Sequence, residues 1–364
     1  MGPPGHGRRG AERPAGRAAR SNPPVRFDRL TAEAADDGWE SPGPDRPAGP
    51  RTELARDASR TILTRNSSPD VPFDRSINPY RGCEHGCIYC FARPTHAWLG
   101  LSPGLDFETR LTMKPDAPAL LRKELSRKGY APAPVALGTN TDPYQPVERR
   151  LRLTRQILEV LAAFRHPFTI TTKGAAVVDD IDIIAPEAAA GRARVAVSIT
   201  TLDPRLARAM EPRAATPDRR LAALRALADA GIPASVMVAP VIPGLTDHEI
   251  EAILQAAREA GAVRAAYICL RLPLEVKDLF GDWLEAVLPG RAAKVRAAVR
   301  QIHGGRDYDP RWGTRMAGEG PIAELIGQRF SRAARRLSLD GPLPPLDCSA
   351  FEVPGQADRQ LSLF

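Results

Sequence analysis

Between residues 75 and 288, short apolar runs alternate with amphipathic ones, and this alternation constrains the fold more than any other feature of the chain. The stretches "VALGTNTD" (135–142), "FTITTK" (168–173), "RVAVSITTLD" (194–203), "ASVMVAPVIPG" (234–244) and "AAYICLRLP" (265–273) are apolar without strict alternation, as strands covered on both faces are. Helical patterns stand between them. In 153–164, Ile157, Leu158, Leu161 and Phe164 recur at helical spacing, and further helices are predicted around 178–190, over 217–231, over 246–261 and near 275–287. Gly231 is placed to end the third of these helices. Thr246, with Glu249 three residues on, has the form of a capping box at the start of the fourth. With a strand leading into Arg81, the count is six β/α units. Such a chain folds as an α/β protein with a parallel sheet covered by helices. The first choice is a partial (β/α)6 TIM-type barrel with its chemistry at the C-terminal strand ends; the second is a doubly wound open sheet. Periodicity alone does not separate the two.

The alternating region sets the domain boundaries. Residues 1–55 are rich in Pro, Gly, Ala and Arg and lack a periodic apolar signal, so they are expected to form a disordered N-terminal segment outside the fold. The barrel core is expected over 70–288, a basic helical extension over 289–346 and an extended tail over 347–364. The 364 residues, 43% of them hydrophobic, suffice for a core of this size. No apolar run approaches the roughly 18 residues of a membrane span. The basic N-terminus has no apolar stretch behind it, which argues against a secretory signal, and His6 breaks the myristoylation pattern. A cytoplasmic protein is expected. Five cysteines, an odd number with three clustered, argue against a disulfide framework. The net charge of +8 comes largely from residues 1–26 and 291–336, a balance that suits nucleic acid or an Arg-rich solvated face.

The clustered cysteines lie in "YRGCEHGCIYCFARPTHAWLG" (80–100): Cys83, Cys87 and Cys90, spaced C-x3-C-x2-C, with Gly82 and Gly86 giving the loop freedom to wrap. Thiolates at these intervals can converge on one metal centre. A structural zinc would need a fourth ligand, from His85 or a distant cysteine. An iron–sulfur cluster also normally takes four cysteines; three would leave one iron open to a substrate or cofactor. After the cluster, Arg93, His96 and Trp98 are candidates to touch substrate or the surroundings of the metal, unless they simply begin the first helix. His166 and His303 have no evident partners.

The spacing, with aromatic Tyr89 directly before the third cysteine, resembles the radical S-adenosylmethionine (SAM) superfamily, whose signature is C-x3-C-x-aromatic-C. The resemblance implies a [4Fe–4S] cluster on Cys83, Cys87 and Cys90 that binds SAM and cleaves it to a 5′-deoxyadenosyl radical. It also implies a reductant such as flavodoxin or ferredoxin. Tyr89 would belong to the cofactor site. By the same resemblance Asp142 or Thr141 would meet the methionyl ammonium, Lys173 and Ser198 the SAM carboxylate and ribose, and Ile242, in "PVIPGLTD", would back the adenine. These residue types are also ordinary turn chemistry.

"GTNTDPYQPVE" and "CIYCFARPTH" resemble more narrowly the spore-photoproduct-lyase-like, DNA-repair-photolyase-like branch, and within it a bacterial subfamily spanning nearly the whole chain. Spore photoproduct lyase carries a hydrogen-donating cysteine near the end of the second strand. Here that region reads Gly138-Thr139-Asn140-Thr141, which puts thymine-dimer reversal by that route in doubt. Cys269 is a replacement candidate, or a small buried apolar residue. Tyr144 and Glu148 are candidates for a polar pocket wall, with a Glu148 ion pair to Arg149 or Arg152 as the alternative.

The chain ends Gln360-Leu361-Ser362-Leu363-Phe364, which resembles the pentapeptide by which bacterial polymerases and repair proteins dock on the sliding clamp. The same apolar residues would also serve to pack the tail on its own barrel. The expected function is a radical SAM enzyme acting on nucleic acid or nucleotide. The alternatives are radical chemistry on a protein or small metabolite, and a non-enzymatic zinc or iron–sulfur protein that binds nucleic acid.

Overall fold

The computed structural model describes residues 17–27 and 51–355. Its strands are β1 (Glu53–Arg56), β2 (Leu63–Arg65), β3 (Arg75–Ile77), β4 (Tyr80–Arg81), β5 (Arg110–Met113), β6 (Val135–Leu137), β7 (Phe168–Thr172), β8 (Ala193–Ser198), β9 (Ala234–Val241) and β10 (Arg264–Cys269). Its α-helices are α1 (Leu105–Thr109), α2 (Ala117–Leu125), α3 (Glu148–Leu151), α4 (Leu153–Ala163), α5 (Ile181–Ala189), α6 (Pro204–Met210), α7 (Pro217–Asp229), α8 (Ile250–Glu259), α9 (Val276–Val287), α10 (Pro289–Gln301) and α11 (Gly320–Arg336).

One sheet runs β10-β9-β8-β7-β6-β3-β2, and every pair from β3 to β10 is parallel. The six parallel strands lie side by side in chain order. A doubly wound sheet reverses its strand order at a switch point; this one does not, so it is the partial-barrel progression. β2 joins antiparallel at the β3 edge, and β10 forms the other edge. Along β7 and β9, Phe168, Ile170, Ala234, Val236 and Val238 point into the core. On α8, Ile250, Ile253, Leu254 and Ala257 bury one face at helical spacing, and α4 does the same with Leu153, Ile157, Leu158 and Leu161. These strand and helix residues, Leu153 apart, form one continuous apolar core.

Three local expectations are corrected. The first strand of the parallel series is β3, a few residues before Arg81. Tyr80–Arg81 instead pairs antiparallel with β5 in a separate sheet, β1-β5-β4. Thr246 and Glu249 do not form a capping box. The Thr246 hydroxyl accepts from the Ile242 N–H (3.0 Å), and Glu249 accepts from Thr201 Oγ1 (2.6 Å) and the Leu202 N–H (2.7 Å), tying this turn to the end of β8. Part of the segment expected outside the fold is integral to it: 53–56 form β1, and Arg17, Ala18 and Ala19 are buried. The N–H groups of Ala18 and Ala19 donate to the buried Glu108 carboxylate, and Arg17 donates to the Glu108 carbonyl. Backbone donors leave no trace in an apolar pattern, so composition could not reveal this anchoring. The helix over 217–229 does end at Gly231 as expected, with the Ile232 N–H returning to the Leu227 carbonyl.

The C-terminal extension covers the β10 edge. The Cys269 N–H donates to the Met316 carbonyl, the Ala265 N–H donates to the Leu339 carbonyl, and Phe330 on α11 packs on Tyr267. Asp70, before β3, accepts from the Gly313 N–H and pairs with Arg315, so this loop reaches across the open side of the barrel. Residues 347–353 run under the strand N-termini, with Phe351 against Phe164, His166 and Tyr130. Gln360–Phe364, the clamp-motif residues, lie outside the described residues.

Candidate functional site

The cysteine loop leaves β4 at the C-terminal end of the barrel. Gly82 (φ 76°) and Gly86 (φ 66°) take left-handed conformations, and a Cβ on Gly86 would stand 2.8 Å from Glu108 Oε2. Tight turns follow one another: the Gly86 N–H donates to the Cys83 carbonyl, Cys90 to Cys87 and Arg93 to Cys90. Arg93 is fully buried and holds the loop from inside. Its Nε donates to the Cys87 carbonyl (2.9 Å) and Nη1 to the carbonyls of Pro103 (3.0 Å) and Gly104 (2.9 Å). Its Nη2 donates to the Gly86 carbonyl (3.0 Å) and to Glu108 Oε1 (2.6 Å). It therefore braces the cysteine loop and does not face the barrel mouth.

Cys83 and Cys87 are buried, Cys90 is half-buried, and none is in a disulfide. Burial pushes the Cys83 thiol well above its ordinary value, and Asp142, Cys87 and Cys90 add to the shift. Burial and Glu211 raise Cys87, against an opposing pull from Lys173. Two buried thiols and a half-buried third on one loop form a soft, all-sulfur donor set, whose chemistry fits an iron–sulfur cluster. Among the described residues no three His, Cys, Asp or Glu side chains are arranged to hold one metal ion. His85 is buried with Nδ1 3.3 Å from Asp142 Oδ2.

Asp142 is saturated by the protein itself. It accepts from the Tyr144 N–H (2.9 Å), Thr172 Oγ1 (2.6 Å) and the Lys173 N–H (2.7 Å). Burial alone would raise its pKa, but His85 and these donors together hold it at about 2. Thr141 donates to the Tyr80 carbonyl (3.2 Å). Lys173 sits at the end of β7 with Nζ 5.8 Å from the Tyr89 ring centre. Ser198 is buried at the end of β8. Ile242, past β9, belongs to the same buried apolar cluster as Cys87, Ile88 and Tyr89.

Other expectations part from the site. Tyr144 donates to Asp180 (3.0 Å) and is buried, so it is no pocket wall. Glu148 pairs with neither Arg149 nor Arg152; it accepts from Tyr80 and the Thr154 N–H (2.8 Å), because its side chain turns inward at the start of α3. Burial pushes it up to about 7. Cys269 is fully buried, its thiol donating to the Ala317 carbonyl (3.1 Å), and burial pushes it up to about 12. His96 is buried with Nε2 2.9 Å from the Arg110 carbonyl oxygen, whereas Trp98 is 72% exposed and its ring meets that of Phe27 at a tilt. His166 and His303 do have partners, Tyr130 and the Leu270 carbonyl.

Sequence reasoning missed Glu211. Its buried carboxylate accepts from Tyr89, Thr200 (2.8 Å) and Arg220, linking the aromatic before the third cysteine to α7. It also missed Glu84, which pairs with Arg213 (3.0 Å) and accepts from Thr52 (2.5 Å). Neither acid stands in a motif or on a periodic face, so no sequence signal marked them.

Residues 77–257 match the Radical SAM superfamily. An uncharacterised protein of Mycobacterium tuberculosis is 41% identical over 292 residues, covering 79% of this chain and 82% of its own length. A protein of Methanocaldococcus jannaschii is 29% identical over 174 residues, covering 48% of this chain and 62% of its own. Among solved structures, spore photoproduct lyase complexed with dinucleoside spore photoproduct has a similar fold, with TM-score 0.57 and 19% identity over 78% of this chain and 79% of that one.

Proposed function

The chain belongs to the radical SAM superfamily and is an enzyme of that class; from this premise we propose that it acts on nucleic acid or nucleotide, in repair or modification, with a [4Fe–4S] cluster held by Cys83, Cys87 and Cys90. The carrying observation is that three thiols, none in a disulfide, lie on one braced loop at the C-terminal end of six parallel strands. Bound there, the cluster would supply the electron that cleaves SAM and yields the 5′-deoxyadenosyl radical. Lys173 and Ser198 are the proposed contacts for the SAM carboxylate and ribose, and Ile242 and Tyr89 line the apolar side. Asp142 and Thr141 serve this reading as braces, since their oxygens already engage protein groups. Cys269 is not proposed as a hydrogen donor, because its thiol is buried against a carbonyl.

The nucleic-acid substrate is supported by the fold shared with a lyase solved in complex with a dinucleoside, and by the basic balance of the chain. The reading also includes a flavodoxin or ferredoxin as reductant, action in the cytoplasm, and docking of Gln360–Phe364 on a sliding clamp. A truncated chain that binds purified clamp as well as the full chain would refute that docking. The principal test is anaerobic reconstitution followed by reduction with SAM. A [4Fe–4S] spectrum and release of 5′-deoxyadenosine are expected, and C83A, C87A and C90A should each abolish release. Retained cleavage in any of the three removes that residue from the ligand set.

A further inference from the structure

Arg271 lies just past β10, half-buried, with its guanidinium stacked 4.3 Å from the centre of the Phe91 ring. Phe91 directly follows Cys90 and is 42% exposed. The strand end that carries Arg271 is pinned on both sides: the Leu270 N–H donates to the Val241 carbonyl (2.9 Å), and His303 Nε2 lies 2.8 Å from the Leu270 carbonyl oxygen. Among the described residues the Arg271 guanidinium has no hydrogen-bond acceptor and no carboxylate within ion-pair distance. Asp70, a carboxylate that acts on it electrostatically, is already paired with Arg315. A half-buried cation without a carboxylate partner loses part of its hydration with no ion pair in return, which suits it to an anionic ligand. Burial lowers the Arg271 pKa; Tyr308 opposes this, Arg315 adds to it, and Cys90 and Asp70 oppose it more weakly. The loop carrying Asp70's other partner, Gly313, also presents Trp312, 60% exposed.

We propose that Arg271 and Phe91 form a substrate subsite beside the cysteine loop, in which the guanidinium takes a backbone phosphate and the exposed Phe91 face supports a neighbouring base of a single-stranded nucleic acid. The Phe91 ring fixes the guanidinium plane, leaving its N–H fork free for bidentate phosphate contact. An aromatic face beside a cation is the combination that binds single strands with little regard for sequence. This inference rests on the nucleic-acid reading above and names the residues that would engage the substrate.

The test is fluorescence anisotropy of the full-length protein with a labelled single-stranded DNA 12-mer across a salt series, alongside SAM binding to the reconstituted protein. R271Q should weaken DNA binding about tenfold and flatten the slope of log K against log salt by about 0.7, the value of one single-strand phosphate contact. R271K should keep the slope while losing affinity. F91L, at an exposed ring, should weaken binding about tenfold with the slope unchanged. SAM binding should be the same in all. Because R271K keeps the charge and F91L alters only an exposed ring, these two decide the question even if R271Q does not fold. Wild-type DNA affinity in R271Q or in F91L overturns the subsite while the nucleic-acid reading stands. Loss of SAM binding in R271Q with DNA binding intact reassigns the cation to the SAM carboxylate and also overturns it. A wild-type protein that binds no oligonucleotide removes both the subsite and the nucleic-acid reading.

Discussion

Replacing Arg93 by Lys tests whether one buried side chain holds the cysteine loop in shape. Arg93 serves five acceptors: the carbonyls of Gly86, Cys87, Pro103 and Gly104, and the Glu108 carboxylate. A lysine ammonium offers three donors from a single point, so at least two of the five acceptors are left without a partner. At about 1.5–3 kcal/mol for each hydrogen bond to a charged group, the expected loss is about 3–6 kcal/mol. For a domain of this size that lowers Tm on the order of 10 °C. Calorimetry of the metal-free protein reads the stability. Labelling of Cys83, Cys87 and Cys90 with a thiol reagent reads the loop, and the two buried thiols should react markedly faster in R93K. A Tm within about 2 °C of wild type together with unchanged labelling rates would refute the idea that Arg93 braces the loop. Lysine is the informative choice, because an uncharged substitute would also remove the cation that pairs directly with the buried Glu108 carboxylate and mix two effects.

Two further perturbations probe buried acids. Glu148 titrates at about 7 in the folded protein against an ordinary 4.5, so between these pH values the native state keeps a proton that the unfolded chain has lost. Its contribution is complete below pH 4.5 and is lost as pH rises through 7, by up to about 3 kcal/mol; E148Q should remove this dependence, and parallel wild-type and E148Q curves of urea-unfolding stability from pH 4 to 8 would contradict the assignment. E211Q leaves Arg220 buried without its counter-ion and should cost about 3–5 kcal/mol in urea unfolding, whereas a loss below about 1 kcal/mol would show that the Tyr89–Glu211–Arg220 link does not hold the site.

Five of the six parallel strands, most of the helices that cover them and the end of one helix at Gly231 were legible in the sequence, because burial on two faces and helical spacing both leave a periodic record. So was the cysteine cluster, whose spacing is local. Thr246 and Glu249 show the limit of such reading: the residue types suited a capping box, yet the end of β8 offered Glu249 better donors in Thr201 and Leu202. Tyr144 and Glu148 failed as pocket walls for the same reason, each turned toward a buried partner that the sequence places far away or in an unrelated segment.

By itself, the sequence determined the class of fold, the family resemblance and the residues that could ligate a cluster, since each rests on patterns within a few residues or on a repeating period. Only the tertiary structure decided that the strands follow one another without reversal, that Arg17–Ala19 anchor on Glu108, and that Arg271 stands beside Cys90 without a counter-ion. Those facts depend on which distant groups compete for the same donor, acceptor or charge, and that competition exists only once the chain has closed around them.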